Sequence, residues 1–275
     1  YTCLKENEFS PFEYKQITPT SPSYFFIQRD TAQIRYYSNW PLITDIFPKN
    51  VTGIQTSRDK LAINFNKDEL LTNIRLFQNK SIDDDLIKSI FNVSDNYAWK
   101  LQLQREDFQK VTDLELYIKE LLYRPFDKRY IFYHTNIVFR TRFDIMRNML
   151  NPNIGLCVGR QGKVVGQKVA WNLVFVTDAM VDLNLFYRGG ELLMPLYLFT
   201  DETYRNLLNQ EICKETNLSP IITKKLTSTY SFEPIPEDIL RYIYAILYSN
   251  IYRETYAKFL EYDFPRVPFT ADSAL

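Results

Sequence analysis

The residues best suited to chemistry lie in the stretch 123–130, which reads YRPFDKRY. Two guanidinium groups, a lysine and a carboxylate are placed there among aromatic residues, beside a proline that fixes the backbone. Such a cluster can form ion pairs, or it can present planar cationic forks to phosphates and guanines. We expect a structural role, in which Arg124 or Arg129 pairs with Asp127 and braces the turn between them.

This stretch also lies in the most basic part of a neutral chain. Residues 119–168 contain ten Lys or Arg and three Asp or Glu, a net charge of +7, whereas the 275-residue chain has a formal net charge of zero. Such an asymmetry favours one surface that faces a polyanion. A solvated charged face is the alternative interpretation.

Two polar, turn-forming segments have the composition of nucleic-acid-binding loops. Residues 51–60 read VTGIQTSRDK, and residues 159–163 read GRQGK. Gln can bind adenine through two hydrogen bonds and Arg can bind guanine in the same way, while Ser and Thr contact phosphates or bases. Each segment is equally consistent with an ordinary surface turn, and their spacing alone does not bring them together.

Sequence motifs for catalysis are absent. There is no GxxxxGK[ST] phosphate loop, no HExxH motif and no Cys/His cluster. Residues 151–154 (NPNI) approach the Asn/Asp-Pro-Pro-aromatic loop of amino-methyltransferases, but they lack the second proline and the aromatic residue, so we interpret them as a helix stop. Asp-Lys pairs at 59–60 and 127–128 are too common to indicate a nuclease. The chain itself is therefore predicted not to be an enzyme.

The composition is that of a globular chain, with 45% hydrophobic and 24% charged residues and with 20 Tyr and 20 Phe that we expect mainly in packing. No run approaches the roughly 20 apolar residues of a membrane helix. The three cysteines, Cys3, Cys157 and Cys213, lie far apart and favour a reducing cytoplasm over disulfides or zinc. The single histidine, His134, is expected to be structural or on the surface.

The residue pattern predicts an α+β fold, with a mixed β-sheet flanked by helices and a helical C-terminal segment. Helices are predicted at 67–77, where Asn66 caps the start, and at 84–92, 113–122, 141–150, 202–216, 236–249 and 251–262. Strands are predicted at 130–133, 154–158, 173–177 and 196–199, and a short one after the turn at 20–26. We expect residues 1–40 to form an extended N-terminal segment and residues 41–275 one domain, with a possible subdivision near residue 115 and a helical end at 202–275.

The C-terminal part carries a family resemblance. Residues 235–239 (IPEDI) lead into 242–249 (YIYAILYS), followed by 252–256 (YRETY) and 263–269 (DFPRVPF). This order closely resembles the C-terminal specificity region of Type ISP restriction–modification enzymes and related large adenine-specific DNA methyltransferases. The resemblance continues upstream, and the segments that carry it there are 19–22, 24–26, 44–47, 53–60, 123–130 and 155–161.

The resemblance implies a target recognition domain that reads double-stranded DNA, whereas adenine-N6 methylation and restriction belong to other domains of the parent enzyme. It implies that the methyltransferase domain of the same polypeptide precedes this domain and is its partner. S-adenosylmethionine is expected in that domain, with no cofactor here and no metal site. We expect a cytoplasmic monomer without membrane contact. The alternative is a protein-docking domain of the same kind of enzyme that does not itself read DNA.

The side chains predicted to contact DNA come from the two polar loops and from the basic stretch between and beyond them. They are Gln55, Thr56, Ser57, Arg58, Lys60, Arg140, Arg142, Arg160, Gln161, Lys163 and Lys168.

Overall fold

The computed structural model describes residues 34–160, 170–187, 190–199 and 214–270. The chain forms two compact units, Tyr1–Trp40 and Pro41–Leu275. In the described part of the first unit, helix α1 (Ile34–Tyr37) is followed by an edge-to-face contact between the rings of Tyr37 and Trp40, with centroids 5.7 Å apart. The domain division that the sequence suggests stays a prediction, as does the strand after residue 20, which lies outside the described residues.

The first half of the second unit is mainly helical. It contains α2 (Ile43–Ile46), α3 (Asp59–Ala62), α4 (Lys67–Gln78), α5 (Asp84–Phe91) and α6 (Leu101–Phe108). The predictions of α4 and α5 are confirmed. The Asn66 carboxamide oxygen accepts hydrogen bonds from the backbone N–H of Asp68 (2.8 Å) and Glu69 (3.1 Å), which satisfies donors that have no partner inside α4.

One face of α4 is buried in the hydrophobic core, through Leu70, Leu71, Ile74 and Phe77. These are the residues that its 3.6-residue period places together. The Phe77 ring packs edge-to-face on the Phe108 ring of α6, with centroids 5.5 Å apart. The helix therefore owes its position to its own sequence and to one packed face.

The prediction of a helix at 113–122 is wrong. Leu114–Tyr117 is a single 3₁₀ turn, and the chain then enters strand β2 (Ile118–Arg124). A β-hairpin joins β2 to β3 (Asp127–Phe132), which extends the strand predicted at 130–133. Apolar residues at 118, 121 and 122 fit a helix face equally well, but cross-strand pairing with the aromatic β3 buries them and outweighs the local preference.

The described strands form three sheets. The first has the order β1 (Ile63–Asn64), β3, β2, β6 (Met180–Val181), in which the β2–β6 pair is parallel and the others are antiparallel. The second is antiparallel, with the order β5 (Val174–Thr177), β4 (Gly155–Gly159), β7 (Glu191–Pro195). In the third, β8 (Tyr197–Phe199) pairs with β9 (Lys214–Thr216). The α+β prediction with a mixed sheet is confirmed.

Residues 51–55 link the first two sheets. Val51 pairs with Leu193 of β7, Ile54 pairs with Asp182 after β6, and Gln55 pairs with Arg140. Gly53 is required in this path, because a Cβ there would lie 2.4 Å from the carbonyl carbon and oxygen of Asp182. Since backbone atoms cannot move aside cheaply, only glycine allows the two chains to approach so closely.

The C-terminal part is helical from Pro220 onward. It contains α8 (Pro220–Tyr230), α9 (Pro236–Tyr248), α10 (Asn250–Thr255) and α11 (Ala257–Leu260), where short helices replace the single one predicted at 251–262. Most of the helix predicted at 202–216 lies outside the described residues, but its last three residues are strand β9, which pairs with β8. The predicted helix 141–150 is one α turn, α7 (Phe143–Met146), and one 3₁₀ turn (Arg147–Leu150).

Two negative findings concern the described residues alone. None of their helices combines the length and the apolar character needed to cross a bilayer. They also contain no group of three or more His, Cys, Asp or Glu side chains that could hold a metal ion.

Candidate nucleic-acid interface

The loop 55–60 is fixed from inside by Arg58. This side chain, predicted to contact DNA, is 4% exposed; it donates to the carbonyl oxygens of Thr56 (3.3 Å) and Ile137 (3.2 Å). Its guanidinium lies 3.9 Å from the centre of the Trp99 ring, and burial lowers its pKa to about 10. Arg58 therefore anchors the loop through these internal contacts, and its predicted DNA contact stays a prediction.

Thr56 is also an interior residue. Its side chain is 2% exposed, and its hydroxyl donates to the Asp59 carboxylate. The same carboxylate accepts a hydrogen bond of 2.8 Å from the hydroxyl of Tyr123 in β2. Thr56 thus positions the loop, and its predicted DNA contact stays a prediction. Ser57 and Lys60 are exposed, and Ser57 has a left-handed backbone with φ of 57°.

Gln55, at the start of this loop, forms an isolated antiparallel β-bridge with Arg140, which we call the Gln55–Arg140 rung. The N–H of Gln55 donates to the carbonyl of Arg140 (3.1 Å), and the N–H of Arg140 donates to the carbonyl of Gln55 (2.9 Å). Residues directly opposite in such a pair project their side chains to the same face. Arg140 is exposed and, among the described residues, its guanidinium has no carboxylate partner. The two side chains are thus presented together.

Arg142 lies beside this rung but is partly buried. Its backbone is left-handed, with φ of 57°, and its Nε atom is buried without a hydrogen-bond partner. The neighbouring Thr141 carbonyl accepts a hydrogen bond of 2.7 Å from the Tyr133 hydroxyl, and burial raises the pKa of that hydroxyl. The predicted contact by Arg142 stays a prediction.

Arg160 leaves the second sheet at the same end as the 55–60 loop. Gly159, at the end of β4, is opposite Glu191 of β7, and the Glu191 carboxylate accepts a hydrogen bond of 3.2 Å from the N–H of Gly53. Strand β7 lies between the two segments. Because neighbouring strands lie about 4.8 Å apart, the backbones at Gly53 and Gly159 are roughly 10 Å apart. The topology thus brings the first residue after Gly159 and the loop after Gly53 to one edge.

The described part of the second loop is Gly159 and Arg160. The Arg160 side chain is partly buried, with its guanidinium 5.0 Å from the Phe264 ring and its Nε atom buried without a partner. The indole N–H of Trp171 donates to the Gly159 carbonyl (3.0 Å) and holds the start of the loop. Gln161, Lys163 and Lys168 lie outside the described residues, so their predicted DNA contacts stay predictions.

The charged side chains at 123–130 pair with carboxylates and aromatic rings of the protein itself. The Arg129 guanidinium forms two contacts with the Asp127 carboxylate, from Nη2 at 2.7 Å and from Nε at 2.9 Å, and it lies over the Tyr123 and Phe65 rings. Arg124 pairs with Asp182 at 2.7 Å and not with Asp127. The Arg129 guanidinium lowers the pKa of Asp127.

Two buried carboxylates behind the loops were missed by sequence reasoning. Glu191 is fully buried and burial raises its pKa to about 8, while burial also raises the pKa of Asp182 despite its pair with Arg124. One Glu191 oxygen holds Gly53 and the other has no partner. A lone Glu in the apolar strand 191–195 was the available sequence signal.

His134 and Cys157 have packing roles. The His134 ring lies edge-to-face against Phe108 and Tyr117, with centroids 5.5 Å and 4.8 Å away, and burial lowers its pKa. Cys157 is buried in β4, and burial raises the pKa of its thiol. Neither side chain has the exposure or the partners of a nucleophile. Cys3 and Cys213 lie outside the described residues.

Comparison with known proteins identifies the domain type. The family described as Type ISP C-terminal specificity domain matches residues 45–275, which confirms the predicted resemblance. No curated protein sequence matches the chain.

Three solved structures share the fold. DrdV in a complex with DNA has a TM-score of 0.69 and 22% identity, over 96% of this chain and 27% of that chain. The ATP-dependent Type ISP restriction–modification enzyme LlaBIII bound to DNA has a TM-score of 0.67 and 20% identity, over 92% and 16%. A nuclease-deletion mutant of the Type ISP enzyme LlaGI, in complex with a DNA substrate mimic, has a TM-score of 0.60 and 20% identity, over 94% and 20%. The chain therefore spans 27% or less of the length of each.

Proposed function

Because the chain belongs to the family of Type ISP C-terminal specificity domains, we propose that it recognises the DNA sequence at which a restriction–modification enzyme acts. The fold supports this proposal, since each of the three similar structures is of a protein bound to DNA or to a DNA mimic. The chain would supply sequence choice, and other domains of the parent polypeptide would supply the chemistry.

The observation that carries the proposal is the Gln55–Arg140 rung. Both side chains project from one rigid backbone pair, and the loop beneath it is held by the buried Arg58 and by the Asp59 carboxylate. Gln suits the hydrogen-bonding edge of adenine and Arg that of guanine in the major groove. A pre-organised pair loses little conformational freedom on binding, which favours discrimination between bases.

Around this rung, other side chains would contact the DNA backbone. Ser57 and Lys60 are exposed on the same loop, and Arg160 leaves the neighbouring sheet at the same edge. Lys60 would act as a point charge toward a phosphate, which adds affinity without sequence information. Gln161, Lys163 and Lys168 would extend the contacts from the second loop.

The finer assignment concerns the parent enzyme. We propose that it methylates adenine at N6, that its methyltransferase domain holds S-adenosylmethionine and clamps the duplex opposite this domain, and that it acts in the cytoplasm as a monomer. The family match supports a restriction–modification parent. The modified base would be identified by methylome sequencing of cells that express the intact gene.

The reading role is tested by substitution in the intact enzyme. Gln55→Ala and Arg140→Ala should each weaken binding to the cognate duplex by about tenfold to a hundredfold and relax the methylated sequence at one position, since a good base contact is worth roughly 1–3 kcal/mol. Fluorescence anisotropy and methylome sequencing measure the two effects.

Arg241→Ala is the matched control, because Arg241 is exposed on α9 and paired with Asp238 away from the rung. Lys60→Ala should weaken binding to all DNA sequences alike. It should also lower the number of counterions released on binding, measured from the salt dependence of the affinity, by about one. If Gln55→Ala and Arg140→Ala keep the wild-type methylation sequence and affinity, the rung does not read DNA, and the protein-docking alternative gains support.

A further inference from the structure

A cavity of about 520 Å³ is lined by aromatic rings and by two arginines, Arg124 and Arg253. The hairpin turn contributes Phe126, β5 contributes Phe175, the segment after β6 contributes Tyr187, and the C-terminal helices contribute Tyr244, Tyr248 and Arg253. This volume lies within the range of about 300–1,000 Å³ that is usual for small-molecule sites.

The rings of the cavity are arranged in two pairs. The Tyr244 and Tyr248 rings are stacked, with centroids 5.5 Å apart and an angle of 29° between their planes. The Phe126 and Phe175 rings meet edge-to-face, with centroids 5.0 Å apart. Phe126 is 91% exposed and Tyr248 is 57% exposed, so both residues offer aromatic surface to solvent at the cavity. Such surface is suited to stacking on a planar ring.

Two aromatic residues at the cavity also have a backbone that L-residues adopt with difficulty. The φ angle is 64° at Phe126, in the turn of the β2–β3 hairpin, and 81° at Tyr187. Glycine is the usual residue at such positions. Strained backbone of this kind occurs preferentially at ligand-binding sites, where the side chain is needed in that place.

Arg253 gives the cavity a positive charge that nothing in the described part of the chain neutralises. Its Nε atom donates to the Leu247 carbonyl (2.7 Å), and its guanidinium lies over the Tyr248 ring at 4.5 Å and the Trp171 ring at 5.6 Å. Its Nη2 atom is buried without a hydrogen-bond partner. By contrast, the charge of Arg124 is balanced by Asp182. A buried donor without a partner favours an anion.

The cavity adjoins the proposed reading surface through two direct contacts. The Phe186 ring, which lines the cavity, lies against Gly159, where a Cβ would be 3.0 Å from it. Trp171, beneath Arg253, donates its indole N–H to the Gly159 carbonyl. Arg160 is the next residue, so the cavity is joined through Gly159 to the edge that carries the proposed reading loops.

We propose that this cavity binds a single nucleotide, with its base against the exposed rings and its phosphate at Arg253. An unstacked nucleotide of the bound DNA is one source, in which case the inference rests on the proposed function. A free nucleotide is the other source, because it carries the same combination of a planar ring and an anion.

The test uses two exposed positions, so that folding is preserved. Phe126→Ala and Tyr248→Ala each remove an aromatic ring. Arg253→Lys keeps the positive charge but removes the planar guanidinium, which can donate two parallel hydrogen bonds to a phosphate. Tyr97→Ala is the control, since Tyr97 is 93% exposed and does not line the cavity. For the intact enzyme, anisotropy measures affinity for the cognate duplex, and calorimetry measures affinity for deoxynucleoside monophosphates.

If the nucleotide comes from DNA, Phe126→Ala and Tyr248→Ala should each weaken duplex binding by about tenfold, the scale of one base–aromatic stack. A duplex with one abasic position should then bind wild type and Tyr248→Ala equally, because the interaction has been removed from both. If the cavity binds a free nucleotide, the monophosphates should bind the wild-type enzyme. Their affinity should fall about tenfold in the same variants, and the affinity for the duplex should not change.

The inference is overturned if both affinities in all three variants match those of Tyr97→Ala. It is separable from the proposed function. If the wild-type enzyme shows no sequence preference for DNA, the reading role fails, while the monophosphate titration still decides whether the cavity binds a nucleotide.

Discussion

Arg105 and Arg253 make opposite uses of an arginine that is withdrawn from water. Arg105 of α6 is 1% exposed, and its guanidinium donates to the carbonyls of Phe77, Asn79 and Ile82 and to the Asp84 carboxylate. Arg253 of α10 is partly buried, donates to one carbonyl and leaves a buried nitrogen without a partner. The first region contains a complete network, and the second contains an incomplete one at a cavity.

Structural arginines and ligand-binding arginines can be told apart by whether their donors have acceptors inside the protein. A guanidinium whose donors are all accepted inside the protein holds elements together and has nothing to offer a ligand. Arg105, in which Nε, Nη1 and Nη2 all have acceptors, belongs to that group. A guanidinium with free or orphaned donors, such as that of Arg140 or Arg253, retains the capacity to bind an anion or a base.

The largest expected effect is in the complete network. Arg105→Ala should lower the free energy of unfolding by about 3–5 kcal/mol, because three carbonyls and the Asp84 carboxylate lose their shared donor inside the protein. Urea denaturation followed by circular dichroism measures this. The control is Arg75→Ala, an exposed position on α4, which should change stability by less than about 0.5 kcal/mol. An Arg105→Ala variant as stable as this control would contradict the comparison.

Glu191 tests the same idea for a carboxylate, since one of its oxygens has no partner. Its pKa is about 8 in the folded protein, above its ordinary value of 4.5, with Asp182 and Arg124 as the charged groups that act on it. Between these values the folded state binds more protons than the unfolded state, so stability falls as pH rises. Glu191→Gln removes that titration and should gain on the order of 3 kcal/mol relative to wild type between pH 5 and pH 8.

Parallel unfolding curves at pH 5, 6.5 and 8 measure this dependence. Asp178→Asn is a suitable comparison, because Asp178 is exposed and its pKa is lowered by the hydrogen bond from Lys128. The folded pKa of Asp178 is below the unfolded one, so the difference in stability between Asp178→Asn and wild type should stay constant from pH 5 to pH 8. A constant difference between Glu191→Gln and wild type would show that the carboxyl does not titrate in this range.

Arg58 and Arg140 offer the comparison within a single loop. Arg58→Ala should lower the free energy of unfolding by about 2 kcal/mol, through two lost carbonyl contacts and the lost stack on Trp99. Arg140→Ala should leave stability within about 0.5 kcal/mol and affect DNA binding alone. Thermal melts and duplex titrations of both variants measure the contrast, and equal melting temperatures would contradict it.

Local signals explain which elements the sequence predicts correctly. Helix α4 has its cap at Asn66 and its apolar period within twelve residues, so its prediction requires no distant information. Strand β2 lacks such a signal, because Ile118, Leu121 and Leu122 are spaced for a helix or for a strand covered on both faces. Its state is decided by pairing with β3 and β6, which is a tertiary effect.

The site is harder to predict, because residue type does not reveal burial. Arg58 is of a residue type that can read bases, but its Nη1 donates to the Ile137 carbonyl and its guanidinium lies over the Trp99 ring. Both partners lie far along the chain. The rung between Gln55 and Arg140 is equally non-local. The cavity at Arg253 is lined by residues from a hairpin turn, a strand and two helices, so no single stretch of the sequence predicts it.

Arg253 itself is tested by replacing its side chain with an apolar one and comparing the result with the same change at Arg105. Replacing a desolvated charge that lacks an ionic partner with an apolar side chain of similar length removes a cost as well as one hydrogen bond. Arg253→Met should therefore unfold within about 1 kcal/mol of wild type, in contrast to Arg105→Met, which should lose several. Denaturation of the two variants under one condition gives the difference directly. If Arg253→Met were as damaging as Arg105→Met, the guanidinium would be holding the C-terminal helices together, and its orphaned donor would not be reserved for a ligand.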